Sequence, residues 1–424
     1  MLNFLNLIMI FIPMKLSFIT LFIISSVFFS SCKENQSEVH NDDHSDSLIV
    51  IGGLFSLTGN WNTLGKDAIA AADIAINQAN VIAAERGLSI RFSFNNFDTK
   101  LIPELALASL KEANSKKIQV LIGPQSSAEL SALKSYADSA RILLISPSST
   151  AGSLAIPNDY ILRICPNDTK EGPAIASMMK FEAKTVMIPF WRNDIGNKGL
   201  SVSTKTAFAK NGGIVLNDIS YEPGISDYSA VLATLKETCV NAIQQYGINA
   251  IAIYNPGFDE VVDIASYITS NDTVLSSISW YGGDGTVGSQ ALLTQPKFFE
   301  KVGYPCPAFG IGEAFTKANP IILAIKNKTG NTPDAYALGV YDAIMITALS
   351  IMGSDSKDMS KEFFRQSIMK QAELYYGATG WTILDENGDR KYASFDMLGI
   401  RSQAGKSSWQ TIGTYSETIG YRPN

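Results

Sequence analysis

A chain of 424 residues is longer than one hydrophobic core normally serves and suits two domains of ordinary size. With 46% hydrophobic and 17% charged residues it is a well-buried globular protein, not a disordered one. A formal charge of -6 without basic runs argues against a nucleic-acid partner, because the phosphate backbone demands clustered Lys and Arg.

In chain order, the first segment reads as targeting signal and not as fold. MKLSFITLFIISSVFFSSC (14–32) has one Lys, an apolar run, small residues and then a cysteine. That pattern fits a lipoprotein signal peptide over residues 1–31, with Cys32 as the lipid-modified residue. Residues 1–13 carry no charge, so Met14 competes with Met1 as the start, with Lys15 as the basic end of the signal. A retained membrane-anchor helix, with Cys32 a bystander, stays open as the alternative. Lys33 follows the cysteine where an Asp would suggest inner-membrane retention. The expectation is a periplasmic or otherwise extracytoplasmic protein held to a membrane by lipid, the outer one where the cell has two.

Residues 32–47, polar and acidic, are expected to be a disordered tether. They hold His40 and His44, the two histidines of the chain, which are expected to be solvated. The folded body therefore has no histidine with which to build a Ser-His-Asp or Cys-His nucleophile or a His-ligated zinc site.

From Leu48 onward, short apolar runs alternate with longer segments of helical period. LIVIGGLFS, LSIRFSFNNFD, IQVLIGP and ILLISP read as strands, separated by helical KDAIAAADIAINQANVIAAERG, LIPELALASLKEANSKK and SSAELSALKSYADSA. Such alternation predicts an α/β fold with largely parallel sheets and helices on both faces. DYILRICPND (159–168) breaks the rhythm and is expected to cross to a second body. There the pattern restarts with TVMIPFW, IVLNDISY, INAIAIYNP and SSISWYGGDG. A return crossing is expected near PAFGIGEAF (307–315), taking the helix DAYALGVYDAIMITALSIMG back to the first body. A third, near YYGATG, leads into a hairpin GWTILDENGDRKYASFDMLGI with Asn387-Gly388 at its turn. The resulting domains are 48–165 plus 312–376 and 166–311 plus 377–424. Cys165, Cys239 and Cys306 allow at most one disulfide; buried free thiols are expected, and one bridge stays open.

In open parallel α/β sheets, ligands bind beyond the carboxyl ends of the strands. Here those ends are polar: Leu57-Thr58 through Leu64, Gln125-Ser126-Ser127, and Ser148-Ser149-Thr150. Hydroxyls followed by a helix start offer O–H and free backbone N–H groups, which suit a carboxylate. Either cluster alone also reads as a helix cap or turn. Two clusters on neighbouring strands favour a ligand.

The pieces GLFSLTGNWNTLGKDAIAAADIAINQAN, VLIGPQSSA, LLISPSST, RICPNDTKEGPAIA and GATGWTILDENGDR, in this order, resemble the type I periplasmic binding proteins. Within them, the similarity is to the Leu/Ile/Val-binding branch of ABC-transporter receptors and spans most of residues 48–415. The resemblance implies two doubly wound α/β lobes joined by three crossovers and closing like a hinge on a small-molecule ligand. It implies no cofactor, and a separate ABC permease and ATPase as partner chains. Ser127, Ser148 and Thr150 match ligand-contact positions, with Ser126 and Ser149 beside them. Asp284 in WYGGDG stands where amino-acid-binding members have a Glu that takes the ligand ammonium. Leu64 falls where an aromatic often covers the ligand, three residues after Trp61. Ile195 in NDIGNKG replaces a Tyr common in members that bind aliphatic amino acids. Tyr254 and Phe258 of YNPGF could line the pocket or pack the core, and Arg192 could meet an acidic group. An α-amino acid of open side-chain class is the ligand implied. The alternatives are a sensing or surface receptor of the same fold without a permease, or a receptor for an amide, urea or small organic acid.

An enzyme is not expected. No G-x-S-x-G elbow or S-x-x-K surrounds Ser146 or Ser148. GGLFSLTG is neither G-x-G-x-x-G nor a P-loop, and the glycine of DENGDR is misplaced for a calcium loop.

Overall fold

The computed structural model describes residues 47–354 and 362–424; the signal peptide, Cys32 and the tether with His40 and His44 lie outside the described residues. The first sheet is built from β1 (Ser47–Phe55), β2 (Ile90–Asp98), β3 (Val120–Ile122), β4 (Leu143–Ser146) and β5 (Ile161–Arg163). Helices α1 (Asn62–Glu85), α2 (Pro103–Ser115) and α3 (Ser127–Ala140) connect the first four. All strand pairs are parallel, in the order β2-β1-β3-β4-β5. β1 is buried from Ile51 to Phe55, as a strand covered by helices on both faces must be.

After β5 the chain crosses over. The second sheet contains β6 (Val186–Arg192), β7 (Ile214–Val215), β8 (Ile219–Tyr221), β9 (Ile251–Tyr254) and β10 (Ser279–Tyr281). Around it lie α4 (Asp168–Phe181), α5 (Ile195–Lys210), α6 (Ser229–Tyr246) and α7 (Val261–Asn271). Its order is β10-β9-β6-β7, with β8 pairing the far end of β6.

The chain continues through α8 (Pro296–Val302) and β11 (Cys306–Phe309), then α9 (Phe315–Thr329), α10 (Ala335–Met352) and α11 (Glu362–Leu374). Ile325, Ile344 and Ile368 from these last three helices share one core with Ile51, Ile145 and Leu162 of the first sheet. α10 is long and apolar enough to cross a membrane by composition, but nearly all its residues from Ala337 to Ile351 are buried, which makes it a core helix here. A short pair, β12 (Tyr376–Gly377) and β13 (Gly380–Trp381), precedes β14 (Ser394–Gln403), β15 (Lys406–Ser416) and β16 (Gly420–Pro423). β11-β14-β15-β16 form an antiparallel sheet on the second lobe, where Ile400 packs with Trp280 and Phe299.

The expected hairpin around Asn387-Gly388 is displaced. A tight turn does form there: the Asp385 side chain accepts from the N–H groups of Asn387 (2.9 Å) and Asp389 (3.0 Å). Its arms are joined by a single bridge, Leu384 to Arg390, and Asp389 instead bridges to Arg163 of β5. The hairpin is β14–β15, turning at Ala404-Gly405, where φ is +51° and +78°. Positive φ at both central residues is the two-residue turn that matches strand twist. Alanine in the first position hid it from the sequence pattern. Cys165, Cys239 and Cys306 are all buried free thiols.

Candidate functional site

In the first sheet the strand order reverses between β1 and β3, which opens a crevice at their carboxyl ends. The polar loops meet there and are tied to one another. Ser56 N–H donates to the Gln125 side chain (2.7 Å), and the Ser148 hydroxyl donates to the Gln125 carbonyl (2.8 Å). Ser146, wholly buried, donates to the Pro124 carbonyl (2.8 Å) and accepts from Ser149 N–H (3.0 Å). Ser126 caps α3 in a reciprocal box with Glu129. The Ser127 hydroxyl accepts from Ala151 N–H (3.1 Å), which leaves its own proton for a ligand. Ser148 has already donated its proton. The N–H groups of Ser127 and Ala128, in the first turn of α3, have no intrahelical partner, and both residues line the cleft.

The facing wall comes from the ends of β6, β9 and β10. Arg192 donates through Nε to Asp194 (2.7 Å), lies 3.3 Å from Glu260, and stacks 4.8 Å over the Phe258 ring. Asp194 also caps α5 through Asn197 N–H (2.9 Å). Arg192 is thus held by two carboxylates. Trp61, at φ +59°, brings its ring within 4.5 Å of Phe258, so an aromatic pair spans the two lobes.

Between these walls lies a cavity of about 180 Å³. Ser126, Ser127, Ser148 and Thr150 form one side, Arg192, Asp194 and Asp284 the other, with Trp61 and Phe258 among the apolar lining. Leu64 borders a smaller adjoining space together with Tyr336 and Asp284. Ser149 is buried away from the cavity, its carbonyl accepting from Arg163 (3.1 Å). Ile195 packs against the first lobe's core, and Tyr254 is fully buried among Met187, Tyr281 and Phe395. Neither lines the cavity.

Asp284 follows β10. Its carboxylate accepts from the Tyr336 hydroxyl (2.6 Å), and its N–H donates to Glu171 (3.1 Å). Tyr336 stands on α10, so this bond also joins the lobes. Burial raises the Asp284 carboxyl above its ordinary range, and the Tyr336 bond opposes that. Sequence reasoning did not find Asp168, Glu171, Asp194 or Tyr336. Asp168 and Glu171 were within reach: RICPNDTKEG places two acids three residues apart at the start of a helix, one face of it.

A family model described as "Periplasmic binding protein" matches residues 48–391. An uncharacterized protein of Methanocaldococcus jannaschii is 27% identical over 415 residues, covering 94% of this chain and 97% of that one. Among solved structures, a leucine binding protein LivK of Thermotoga maritima superposes with a TM-score of 0.70 at 20% identity, over 87% of this chain and 99% of its own. The branched-chain amino acid transporter substrate binding protein LivJ of Streptococcus pneumoniae, in complex with isoleucine, gives 0.68 at 20% identity, over 86% and 99%. Family and fold are those of extracytoplasmic solute-binding proteins and not of enzymes. The two sheets, their crossovers and the match across most of the length agree: the chain belongs to the type I periplasmic binding proteins.

Proposed function

We propose that the protein captures a small α-amino acid in the cleft by hinge closure and hands it to an ABC permease, acting as a lipoprotein anchored through Cys32. One observation carries the ligand reading. Across a cavity of about 180 Å³, the Ser127 hydroxyl and the N–H groups opening α3 face the carboxylate of Asp284. Donors on one lobe suit the acid end, and an acid on the other suits the ammonium, a charge-assisted pair in a water-poor site. The LivJ structure holds an amino acid, isoleucine, in the same fold, which supports this choice. Arg192 is already matched by Asp194 and Glu260, so an acidic ligand side chain would meet net negative charge there.

Thermal-shift measurement against amino acids, amides, urea and small organic acids tests the proposal, since a ligand that binds the folded form raises its melting temperature. Amino acids are expected to respond, acidic ones least. Asp284→Ala should weaken amino-acid binding roughly 10- to 100-fold, the loss of a hydrogen bond to a charged group, with little change in the unliganded melting temperature. Unchanged affinity in that variant removes Asp284 from the site, and a response only to amine-free acids overturns the amino-acid reading.

A further inference from the structure

We propose that the ligand's ammonium enters against a proton: Asp168, Glu171 and Asp284 form one carboxyl cluster that releases a proton to solvent when the cationic group settles on Asp284. The inference rests on the amino-acid reading above and deepens it.

The cluster is defined by geometry. Asp168 and Glu171 lie in the first turn of α4 and are each 1% exposed. Glu171 accepts from Asp284 N–H, which fixes the two residues side by side. Asp168 is unlike an ordinary helix-start acid: both its oxygens are buried without a well-formed hydrogen bond, and the Thr150 hydroxyl and Gly152 N–H beside them offset part of the cost of its charge. It sits beside Thr150 of the cavity wall, whose carbonyl accepts from Asp168 N–H (2.8 Å). α5 presses on it from the other side: a Cβ at Gly199 would stand 2.7 Å from Asp168 Oδ2.

Among the described residues no cation forms an ion pair with the cluster, and the nearby charge of Arg163 lowers Asp168 only in part. Arg163 is taken up by Asp389 and by the carbonyls of Ser149 and Ala151. Arg192 is taken up by Asp194 and Glu260. The groups facing the cluster from β9, β11, α10 and the crossover, namely Tyr254, Cys306, Tyr336 and Cys165, are neutral, and burial raises each one. Asp194 on the facing wall and Asp334 at the start of α10 add charge of the same sign.

Three carboxyls so placed cannot all ionise. Burial, and then the charge on Asp284, lifts Asp168 to about 7 and holds Glu171 well above its ordinary value. A proton is therefore shared by the empty cluster near neutrality and belongs to the group, not to one residue. An arriving ammonium supplies the missing positive charge. The proton then leaves, and the charge of the site balances. Binding is expected to tighten as pH rises through this range, by up to about tenfold per pH unit. The free protein should behave in the opposite way. A carboxyl raised from 3.8 toward 7 binds more protons folded than unfolded, so stability is lost as pH rises from about 4 through about 7.

The test is calorimetric titration with each of the twenty standard amino acids at pH 7, in buffers of different protonation enthalpy, together with 4-methylpentanoate as an amine-free analogue of leucine. About one proton released per bound amino acid is expected, and Asp168→Asn and Glu171→Gln, which keep shape while removing charge, should each reduce that number. A purely structural role would move affinity and leave the proton count alone. Amino-acid binding without proton release overturns the inference and leaves the amino-acid reading standing. No binding by any amino acid, or equal binding of 4-methylpentanoate, overturns both. Melting of the free protein at pH 5 and pH 8 is a ligand-independent check. The wild type should lose stability over that interval and the two variants lose less; a flat wild-type profile also sinks the inference.

Discussion

Arg163 connects three parts of the chain with one side chain. It is 0% exposed; its Nε lies 2.5 Å from Asp389, and its Nη1 donates to the carbonyls of Ser149 (3.1 Å) and Ala151 (2.7 Å). It thereby shapes the loop that presents Ser148 and Thr150 and fastens it to the 385–389 turn. Removing one partner of a buried pair leaves an uncompensated charge, so Arg163→Met should cost about 3–5 kcal/mol in urea denaturation. Replacing both, with Arg163→Met and Asp389→Leu together, should recover much of that, although the site loop loses its two anchors. Of the individual residues, the hydroxyls of SPSST stood out because a second hydroxyl cluster ends the neighbouring strand; alone they read equally as a turn. Their division of labour was not legible. Ser146 serves the turn, Ser148 serves Gln125, and Ser127 keeps a proton free, and only partners distant in sequence set these roles.

α4 and α5 pack closely near the site, and Gly172 permits it. A Cβ there would stand 2.6 Å from Thr204 N and 2.3 Å from Ser203 Oγ. Gly172→Ala should destabilise the protein by about 1–3 kcal/mol, the usual result of overpacking, and displace Glu171 with it. Urea midpoints, followed by ligand titration, would separate those two effects. The βα elements were legible because their apolar runs carry period 2 or 3.6 over enough residues to be distinctive. The β14–β15 hairpin was not, since its turn holds Ala404 where Asn or Asp would have signalled it. α10 was expected to rejoin the first body, and its nearly complete burial there explains a composition that would otherwise suit lipid.

Trp61 on Phe258 and Tyr336 on Asp284 join the lobes across the cleft, beside the packing of Ile195 on the first lobe. Both belong to the closed arrangement, and a ligand stabilises that state only by its differential affinity for it. An aromatic pair contributes about 0.5–1.5 kcal/mol beyond its buried area. Phe258→Ala should therefore weaken ligand binding by roughly threefold to tenfold. The free protein's melting temperature should change little, because the pair lies between lobes and outside either core. Small-angle scattering of the free variant is expected to show a larger radius of gyration than wild type; an unchanged radius would mean that the pair does not bias closure.

Composition and periodicity were enough to establish an α/β chain of two repeated βα bodies without histidine chemistry, because burial patterns and residue inventories are local properties. The order of five short segments was enough to place it among the solute receptors. Charge in the cleft is a different kind of quantity. Asp168, Glu171 and Asp284 are separated by as many as 116 positions in the chain, and their shared proton depends on burial and on which cations are already paired. Arg192, open to an acidic ligand when seen as sequence, is closed off by Asp194 and Glu260 once the strands bring them together. Electrostatic interactions act through space and strengthen as water is excluded, so they belong to the folded molecule.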